Sequence, residues 1–400
     1  MMVPKLRFKN FEGIWEPKSL KDIACLTSSK RVHLSDYVKE GIPFFRGKEI
    51  TELKSGIIPS DILYISPLLF NEFKVKYGTP KAGEILITAV GTLGNIYHIN
   101  NIGDFYFKDG NLIWLKELKC NSLFLSFLLT LKKNEILNSA IGSTQKALTM
   151  VELNKLVFNY PRNDEQVKIA SFLSLLEEKI TLLNKQYNLL CQYKKGMMQK
   201  IFSQEVRFKD ECGENFSDWN EILLGKVGEI ITGKTPSTSI TEYWNGDILF
   251  TTPTDMNDSI KYLTETERKV TSKGIKRVLP EGTIMFTCIA SIGKMALSKL
   301  PCITNQQINS IIVNEKYNNE FIYYHLQYIK PKIIASQANT TVPIVNKSDF
   351  SAISLQIPNL AEQTKIANFL SALDDKIAAK KTELDKLKAW KQGLLQQMFI

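Results

Sequence analysis

The chain has 400 residues, 44% of them hydrophobic and 23% charged, which is the composition of a folded protein with room for two or three domains. Its net charge of +10 favours a polyanionic partner. No apolar run reaches the roughly 18 residues of a membrane span, and the first residues lack the apolar core of a signal peptide, so we predict a cytoplasmic protein that does not enter a membrane.

The six cysteines are scattered without CxxC spacing, and the chain has only three histidines. Free thiols in a reducing compartment are therefore the expected state. The same scarcity of ligands predicts that the chain holds no metal site.

Residues 1–160 form the first predicted domain, with 21 Lys and Arg against 15 Asp and Glu, a net charge of +6. Leu20 to Ala24 is predicted to be a short apolar strand that enters a polar loop. Gly83 to Gly94 is typical of a β-branched strand that runs into a turn closed by glycine. Asn121 is placed to cap an apolar helix that follows it, so the domain is a mixed α/β head.

Residues 161–205 are predicted to form one long helix. Apolar residues recur at alternating steps of four and three, the heptad pattern of a helix with a narrow apolar seam. About 38 residues give a rod of roughly 55–60 Å, and such a seam requires a partner helix. The seam consists of Ile169, Leu173, Leu176, Ile180, Leu183, Tyr187, Leu190, Met197 and Ile201, with Lys194 as its charged member.

A second copy of this helix occupies residues 358–400. The two copies match at an offset of 197 residues without a gap as far as Phe202 and Phe399. The nearest candidate partner for each seam is therefore the other copy. The second seam consists of Ile366, Leu370, Leu373, Ile377, Leu384, Leu387, Leu394 and Met398, interrupted by Lys380 and Lys391.

Residues 206–357 repeat the first head more loosely. Arg7, Phe8 and Trp15 recur as Arg207, Phe208 and Trp219, and the strand and turn at 83–94 and the segment 142–153 recur at 282–293 and 339–350. This head has 16 positive and 16 negative residues, so contact with a polyanion would require a local cluster of charge. A solvated helix face explains the one candidate cluster equally well, which is Arg268, Lys269, Lys273, Lys276 and Arg277.

The predicted fold class is α+β, with two mixed α/β heads separated by two long helices that pair as an antiparallel coiled coil. The chain is a pseudo-twofold tandem repeat. A DNA duplex has local dyads, so such a protein can present one head to each of two half-sites, which should differ because the heads differ in sequence. The predicted domains are 1–160, 161–205, 206–357 and 358–400.

One catalytic motif occurs, and its context argues against it. Gly228 to Thr235 satisfies the GxxxxGK[ST] pattern of a phosphate-binding loop. Val227 to Ile231 is predicted to be a strand, however, and Pro236 opposes the helix that should start at the lysine. Methyltransferase, hydrolase, metalloprotease and nuclease patterns do not stand out, so we assign no catalytic residue.

The repeated helix resembles that of the specificity subunits of type I restriction–modification systems. Both copies read EQ-x-K-I-A-x-F-L near the start and G-(L/M)-(L/M)-Q-x-x-F near the end. TGKTPS at 232–237, YWNGDI at 243–248 and TNQQI at 304–308 are similar to segments of that family's target-recognition domains. The resemblance covers essentially all 400 residues, although Ser28-Ser29-Lys30-Arg31 stands in the first head where the second has GKTPS.

The resemblance implies a non-catalytic subunit that reads a bipartite, asymmetric DNA site, one half per target-recognition domain, while the helices set the unspecific gap. It implies double-stranded DNA, two methyltransferase subunits and endonuclease/translocase subunits as partners. It also implies that S-adenosylmethionine, ATP and Mg bind to partner subunits and that this chain holds no cofactor.

Loops rich in hydrogen-bond donors supply the predicted DNA contacts. The alternative is that each of these residues is only a solvated side chain on the surface. In the helices, the Glu-Gln pairs are predicted either to cap the helix starts or to dock the methyltransferase, and Lys194 and Lys391 are expected to stay solvated. The DNA-contact candidates are Lys30, Arg31, Arg46, Lys48, Thr92, Gln145 and Lys146 in the first head and Lys234, Thr235, Ser237 and Lys294 in the second. The docking candidates are Glu165, Gln166, Phe172, Glu362, Gln363 and Phe369.

Two other classes of protein stay open. A non-catalytic coiled-coil adaptor without DNA readout would explain the helices but not two divergent, donor-rich heads. A nucleotide-binding protein would require binding at Lys234.

Overall fold

The computed structural model describes residues 3–143, 146–257, 260–336 and 344–399. Contacts divide the chain into two compact units, where unit 1 consists of Met1–Asn184 and Glu383–Ile400 and unit 2 of Lys185–Thr382. Each unit therefore contains one α/β head and a part of each long helix.

The head of unit 1 consists of short strands and helices and is followed by the first long helix. The elements are β1 (Glu16–Ser19), α1 (Leu20–Ile23), β2 (Cys25–Thr27), β3 (Tyr37–Val38), β4 (Ile42–Phe45), α2 (Gly47–Lys54), β5 (Leu63–Ile65), α3 (Pro67–Lys76), β6 (Ile85–Thr88), β7 (Ile96–His98), β8 (Tyr106–Phe107), β9 (Leu112–Lys116), α4 (Ser122–Leu131), α5 (Lys133–Asn138), α6 (Met150–Lys155), β10 (Val157–Tyr160) and α7 (Asn163–Phe202).

Three small sheets organise this head. One has the antiparallel order β2-β9-β6-β7, and the second has the order β3-β5-β4-β8, in which β4 and β8 run parallel. Strands β1 and β10 form an antiparallel pair where the chain enters the head and where it leaves towards α7. Every residue of β6 is buried, so its β-branched side chains pack on both faces.

The head of unit 2 is followed by the second long helix. Its elements are β11 (Asn220–Leu223), α8 (Leu224–Val227), β12 (Gly228–Thr232), β13 (Trp244–Thr251), β14 (Tyr262–Leu263), β15 (Arg268–Val270), β16 (Ile284–Thr287), β17 (Met295–Ser298), β18 (Cys302–Thr304), β19 (Ile308–Val313), α9 (Asn319–Ser336), α10 (Lys347–Ser351), β20 (Ser354–Ile357) and α11 (Leu360–Met398).

The topology of unit 2 repeats that of unit 1. The order β12-β19-β16-β17 corresponds to β2-β9-β6-β7, the pair β11-β20 corresponds to β1-β10, and β13 and β18 run parallel as β4 and β8 do. One difference is that β14 extends the main sheet beside β17, whereas α2 packs against β7 in unit 1. The predicted tandem repeat of mixed α/β heads is confirmed.

One predicted element of the first head is wrong. The strand expected at Leu20 to Ala24 is instead the short helix α1, and its counterpart in unit 2 is the helix α8. The reason is that Leu20 and Ile23 are both buried, and a helical turn places residues three apart on one face. Asp22 also accepts a hydrogen bond from the backbone amide of Ser19 at 3.0 Å, which stabilises the helix start.

The two long helices are confirmed, and so are their apolar seams. In unit 1, Ile169, Leu173 and Leu176 of α7 are buried in one core together with Leu394 and Met398 of α11. In unit 2, Ile201 of α7 lies in one core with Ile366, Leu370 and Leu373 of α11. Within each unit the end of one helix thus packs beside the start of the other, which is the antiparallel arrangement that the seams predict.

Candidate nucleic-acid interface and head–helix clamps

An arginine near the start of unit 1 binds a buried carboxylate at the start of α7. Arg7 Nε and Nη2 donate to the two carboxylate oxygens of Glu165 at 2.8 and 2.7 Å. Arg7 also donates to the carbonyl of Gly13 at 2.6 Å. The side chain of Glu165 is 2% exposed, so this two-pronged pair compensates its burial.

The neighbouring Gln166 joins the same helix start to a second part of the head. Its Oε1 accepts the backbone amide of Asn121 at 2.9 Å, and its Nε2 donates to the carbonyl of Pro161 at 2.9 Å. Asn121 in turn caps α4 by accepting the amide of Phe124 at 3.0 Å. We call the contacts of Arg7, Glu165 and Gln166 the head–helix clamp of unit 1.

Unit 2 contains the same clamp. Arg207 Nε and Nη2 donate to Glu362 at 3.2 and 2.7 Å, and Gln363 accepts the backbone amide of Asn318 at 2.9 Å. One contact is additional, because Trp219 Nε1 donates to Glu362 at 3.2 Å. The predicted capping is therefore wrong, since the described contacts of both Glu-Gln pairs lead to the head and not to the amides of their own helix. Glu165 and Glu362 do lie in the first turns of their helices, where the helix dipole favours a negative charge.

The two docking candidates with aromatic rings also contact the heads. The Phe172 ring lies 5.7 Å from that of Phe8, centre to centre, and the Phe369 ring lies 5.6 Å from that of Phe208. Phe172 also contacts Trp390 of α11 edge-on at 6.3 Å. Docking of a methyltransferase through the Glu-Gln pairs and these rings stays a prediction, and in the structure all six side chains are engaged within their own units.

The charged members of the seams form ion pairs across the helices. Lys194 Nζ lies 2.5 Å from Asp374 Oδ1 in unit 2, and Lys391 is paired with Glu177 in unit 1. Lys194 and Lys391 are 16% and 21% exposed, so the expectation that they stay solvated is wrong. A seam lysine with little access to water is stabilised by a carboxylate on the facing helix.

In the first head, the loop after β2 carries two of the predicted DNA contacts. Lys30 and Arg31 are both exposed. The backbone amide of Lys30 donates to Tyr106 Oη at 2.9 Å, and its ammonium lies 4.7 Å from the centre of the Tyr77 ring. Arg31 lies 3.5 Å from Asp109 at an exposed site, where an ion pair is worth little, so its guanidinium is available to a polyanion.

Arg46 and Lys48 follow β4, which pairs with β8. Tyr106, which accepts the amide of Lys30, belongs to β8, so Arg46 and Lys48 lie in the same part of the head as Lys30. They differ in what they contact. Arg46 Nη2 binds the buried Glu49 at 2.5 Å and lies 3.5 Å from Asp61, and its hydrogen bond to Glu49 raises the pKa of Arg46. Lys48 is 59% exposed and lies 3.9 Å from Glu52. Lys48 is therefore free to reach a ligand, whereas Arg46 is held against the head.

The turn after β6 holds the predicted contact Thr92. Thr88 Oγ1 donates to the carbonyl of Thr92 and accepts the amide of Asn95 at 2.9 Å, which fixes the turn from inside while Thr92 stays exposed. Lys146 is exposed, and Gln145 lies outside the described residues.

The equivalent turn in the second head holds Lys294. Thr287 Oγ1 donates to the carbonyl of Ser291 and accepts the amide of Lys294 at 2.9 Å, the same pattern as in the first head. Gly293 closes the turn with a φ of +88°, a conformation that favours glycine. The ammonium of Lys294 donates to the carbonyl of Pro253 at 2.9 Å, so it is partly engaged.

The loop after β12 carries the other three predicted contacts of the second head. Lys234 and Ser237 are exposed, and Thr235 Oγ1 donates to Gln306 at 2.8 Å. All three border a cavity of about 600 Å³, whereas Lys294 does not. The structure thus brings Lys234, Thr235 and Ser237 together and leaves Lys294 apart from them.

The basic cluster of the second head does not lie on a helix face, so that alternative is wrong. Arg268 belongs to strand β15 and places its guanidinium 3.6 Å from the centre of the Trp244 ring, a cation–π contact. Lys273 is paired with Glu242 at 2.9 Å. Trp244 and Arg268 could have been suspected from YWNGDI and the charge cluster, but no spacing rule joins them.

The phosphate-binding-loop interpretation finds no support in the local structure. Gly228–Thr232 forms β12, and the described residues that follow it up to Ser239 contain no helix. Among the described residues there is also no group of three His, Cys, Asp or Glu side chains that could hold a metal ion. In the same part of the chain, no helix is both long and apolar enough to cross a bilayer.

The sequence profile of the type I restriction–modification DNA specificity domain matches residues 13–192 and again 216–389. The chain therefore belongs to this family. It contains the domain twice, in agreement with the two heads of the fold. It is a DNA sequence-specificity subunit of the type I restriction–modification class.

Two curated relatives come from Methanocaldococcus jannaschii. The type I restriction enzyme MjaIX specificity subunit is 35% identical over 210 residues, which is 50% of this chain and 48% of that subunit. The putative MjaX specificity subunit is 27% identical over 399 residues, or 95% of this chain and 92% of that protein. The chain thus spans about half the length of the first relative and nearly all of the second.

Among solved structures, the S subunit of a type I restriction–modification system from M. genitalium is similar over 100% of this chain and 99% of its own length, with a TM-score of 0.66. The two sequences are 19% identical, so the likeness concerns the fold. It agrees with the predicted arrangement of two α/β heads and two long helices.

Proposed function

We propose that each head reads one half of a bipartite, asymmetric DNA site and that the two long helices set the gap between the halves. The observation that carries this proposal is the repeated head–helix clamp. Identical Arg, Glu and Gln contacts tie two heads of different sequence to the starts of the two helices. A protein that recognises two different half-sites requires heads that differ in sequence and an attachment to the helices that is the same for both heads.

The DNA contacts come from the exposed donor-rich loops of each head. In the first head these are Lys30, Arg31, Lys48, Thr92 and Lys146, with Arg46 holding the loop in place through Glu49. The proposal includes Gln145, which lies outside the described residues. In the second they are Lys234, Thr235, Ser237 and Lys294. Contacts to phosphates position the protein, and contacts to base edges supply the specificity.

The helices also dock two methyltransferase subunits, one for each copy of the helix start. Endonuclease/translocase subunits join this assembly. The chain itself is non-catalytic, and S-adenosylmethionine, ATP and Mg bind to the partners, where the target adenine is flipped out of the duplex for methylation. Support comes from the repeat, which offers two equivalent docking places, and from relatives that are named as one subunit of a larger enzyme. Such a complex acts in the cytoplasm, where the DNA is.

The test is a genome-wide map of adenine methylation in the host with and without this gene. We expect one two-part motif to lose its methylation, which gives both half-sites at once. Adding back the gene on a plasmid should restore the motif, and a variant in which residues 206–357 are exchanged for the second head of a relative should change only one half. An unchanged methylation map, when the neighbouring methyltransferase is expressed and active, would contradict the proposal.

The second candidate is a coiled-coil adaptor without DNA readout. It is favoured by the long paired helices, which would serve equally well as a scaffold. It predicts that the purified assembly binds duplexes of any sequence with the same affinity, and the motif found in the methylation map supplies the duplexes for that comparison.

A further inference from the structure

The second head contains a cavity of about 600 Å³ that is lined mainly by two separate segments, with Tyr243, Ile303 and Thr304 completing its walls. One wall is the loop after β12, with Lys234, Thr235 and Ser237. The other is the segment after β15, with Lys276 and Arg277. The volume lies within the range of about 300–1,000 Å³ that ligand pockets occupy.

The charge around this cavity is not balanced. Arg277 is paired with Glu229 at 2.5 Å, but the described part of the chain shows no ion pair for Lys234 or Lys276. No Asp or Glu is among the residues that line the cavity. An anion in this place would meet two positive charges and no negative one, which is a favourable site by Coulomb's law.

Each wall contains a glycine against which a neighbouring residue packs closely. A Cβ atom on Gly233 would lie 2.3 Å from the carbonyl oxygen of Thr304, and one on Gly274 would lie 2.7 Å from Cβ of Tyr243. Trp244 Nε1 also donates to the carbonyl of Ser237 at 3.0 Å. The cavity is therefore preorganised, which reduces the entropy lost when a ligand binds.

A second cavity in the same unit shows what an unsuitable site looks like. It measures about 260 Å³, and Glu281 and Glu315 are among its lining residues. Two carboxylates would repel an anion at this position. Both the larger volume and the absence of carboxylates single out the cavity beside Lys234.

The remaining lining residues indicate the kind of anion. Ile275, Leu279 and Ile303 supply apolar surface. The hydroxyl groups of Thr232 and Thr235 already donate to Asn309 and Gln306, so the two ammonium groups are the donors that an anion would meet. Ammonium donors next to apolar side chains suit a phosphate that carries a sugar. This chemistry is shared by a DNA strand and by a free nucleotide.

We propose that this cavity holds one phosphodeoxyribose unit of the bound DNA strand and that Lys234 and Lys276 share its phosphate. The inference rests on the proposed DNA-reading function and adds Lys276 as a residue that positions the second head on its half-site. Since a phosphate carries no sequence information, the contact sets affinity and register rather than base preference.

The experiment measures the affinity of the chain, assembled with its methyltransferase subunits, for a duplex with its two-part site at 50–200 mM salt. Lys276→Ala is expected to weaken binding about three- to tenfold, equally for the intact site and for duplexes altered in either half. It should also lower the slope of log K against log salt by about one, the value for one lost phosphate contact. Lys273→Ala is the matched control, because Lys273 lies on the same segment but does not line the cavity, and its slope should equal that of the wild type.

A double variant tests whether the two lysines act on the same phosphate. If they do, Lys234→Ala combined with Lys276→Ala costs clearly less than the two single losses added together. Two results would overturn the assignment of the cavity, provided that the wild type still prefers its own site. One is a double variant whose loss of affinity equals the sum of the two single losses, and the other is a Lys276→Ala slope equal to that of the wild type. A wild type without sequence preference would overturn the proposed function and this inference with it.

A titration with deoxyadenosine monophosphate in the absence of DNA distinguishes the two sources of the ligand. No binding at millimolar concentration supports a DNA strand as the ligand. Binding that Lys276→Ala abolishes would mean that a free nucleotide occupies the cavity, which would overturn the assignment to DNA.

Discussion

At the scale of single residues, the clamp arginines hold a carboxylate that has almost no contact with water. Glu165 is 2% exposed and Glu362 0%. A buried charge that loses its partner typically destabilises a protein by about 3–5 kcal/mol, because the remaining charge is left uncompensated. A single substitution in one clamp should therefore destabilise the unit that contains it and leave the stability of the other unit unchanged.

We predict that Arg7→Leu lowers the midpoint of thermal unfolding of unit 1 by roughly 6–20 °C, since about 1 kcal/mol shifts the midpoint of a unit of this size by about 2–4 °C. Arg207→Leu should have a smaller effect on unit 2, because Glu362 keeps its hydrogen bond from Trp219 Nε1. Differential scanning calorimetry of the full chain measures both transitions.

Lys5→Ala serves as the control for the clamp, because Lys5 is an exposed cation two residues before Arg7. Combining Arg7→Leu with Glu165→Leu should recover much of the lost stability, since both partners of the pair are then removed. Equal midpoints for Arg7→Leu and Lys5→Ala would show that the clamp contributes nothing to stability.

His325 gives unit 2 a dependence on pH. It is 3% exposed and stacks on Phe202 with ring centres 4.7 Å apart. Burial, with a smaller contribution from the charge of Lys332, lowers the pKa of His325 to about 3. An unfolded chain binds the proton below a pKa of about 6.5, so between about pH 6.5 and pH 3 protonation favours the unfolded state, and the contribution to stability falls as the pH falls.

We predict that His325→Leu removes this loss. Leu128 stands at the corresponding position of the first head, where it is fully buried, so leucine suits the local packing. From pH 7.5 to pH 5.5 the wild type should lose about 1 kcal/mol more unfolding free energy than the variant, at up to about 1.4 kcal/mol per pH unit below 6.5. Denaturant unfolding at the two pH values measures this difference.

His33→Gln is the control, because His33 is an exposed residue of the first head. Its loss of stability on acidification should match that of the wild type. If His325→Leu and the wild type lose the same free energy between the two pH values, burial of His325 does not couple folding to pH.

The residues of the clamps also show how far a site can be predicted from sequence. The repeat singles out Arg7 and Arg207, because they recur at corresponding positions, and it singles out the Glu-Gln pairs. It does not join them, since Arg7 and Glu165 are 158 residues apart in sequence. Local rules for helix starts favour capping, and the competing contact with a distant guanidinium, which is stronger, is visible only in three dimensions.

At the scale of secondary-structure elements, long periodic segments were predictable and short ones were not. The heptad pattern identifies both long helices because nine apolar seam residues in the first helix and eight in the second follow the same spacing. The segment Leu20 to Ala24 has three buried positions, Leu20, Ile23 and Ala24. The spacing of Leu20 and Ile23 fits a helical turn, but a segment this short shows that only when the packing is known. The strand at Arg268–Val270 was hidden by its charges, because β15 lies at the edge of a sheet where polar side chains reach water.

The seam lysines illustrate the same limit for charges. A lysine at a seam position breaks the apolar pattern, and sequence alone favours its reaching solvent. In the structure Lys194 meets Asp374, and Lys391 meets Glu177, at positions that the repeat makes equivalent. Each pair could have been suspected only after the antiparallel register was known. These pairs also help to fix that register, because a slip by one turn would leave four charges partly buried without partners.

At the scale of the whole molecule, the tandem repeat allowed the fold class to be predicted, because a duplication of head and helix restricts the possible architectures. The differences between the heads could not be predicted in the same way. Strand β14 extends the main sheet in unit 2, whereas helix α2 packs beside the corresponding strand in unit 1. Such differences arise where the two sequences have diverged. Two heads that recognise different half-sites are also expected to differ in these segments.

The proposed spacing role of the helices leads to a prediction about the DNA gap. The helices pass from one unit to the other at Asn184 and Thr382. One heptad inserted after both residues keeps the seam on the same face of each helix and leaves the contacts within each unit unchanged. Seven residues add about 10 Å of helix, which is about three base pairs at 3.4 Å each. We therefore expect the preferred gap to grow by about three base pairs, as measured by mapping adenine methylation in cells that carry the variant.

A heptad inserted after Asn184 alone is the matched control for this variant. The two helices then differ in length between the units, so the seams can no longer pair in both units at once, and methylation should fall at every gap length. If the double insertion methylates its sites efficiently at the original gap, the helices do not set the spacing, and the distance between the half-sites must be determined by the partner subunits or by bending of the DNA.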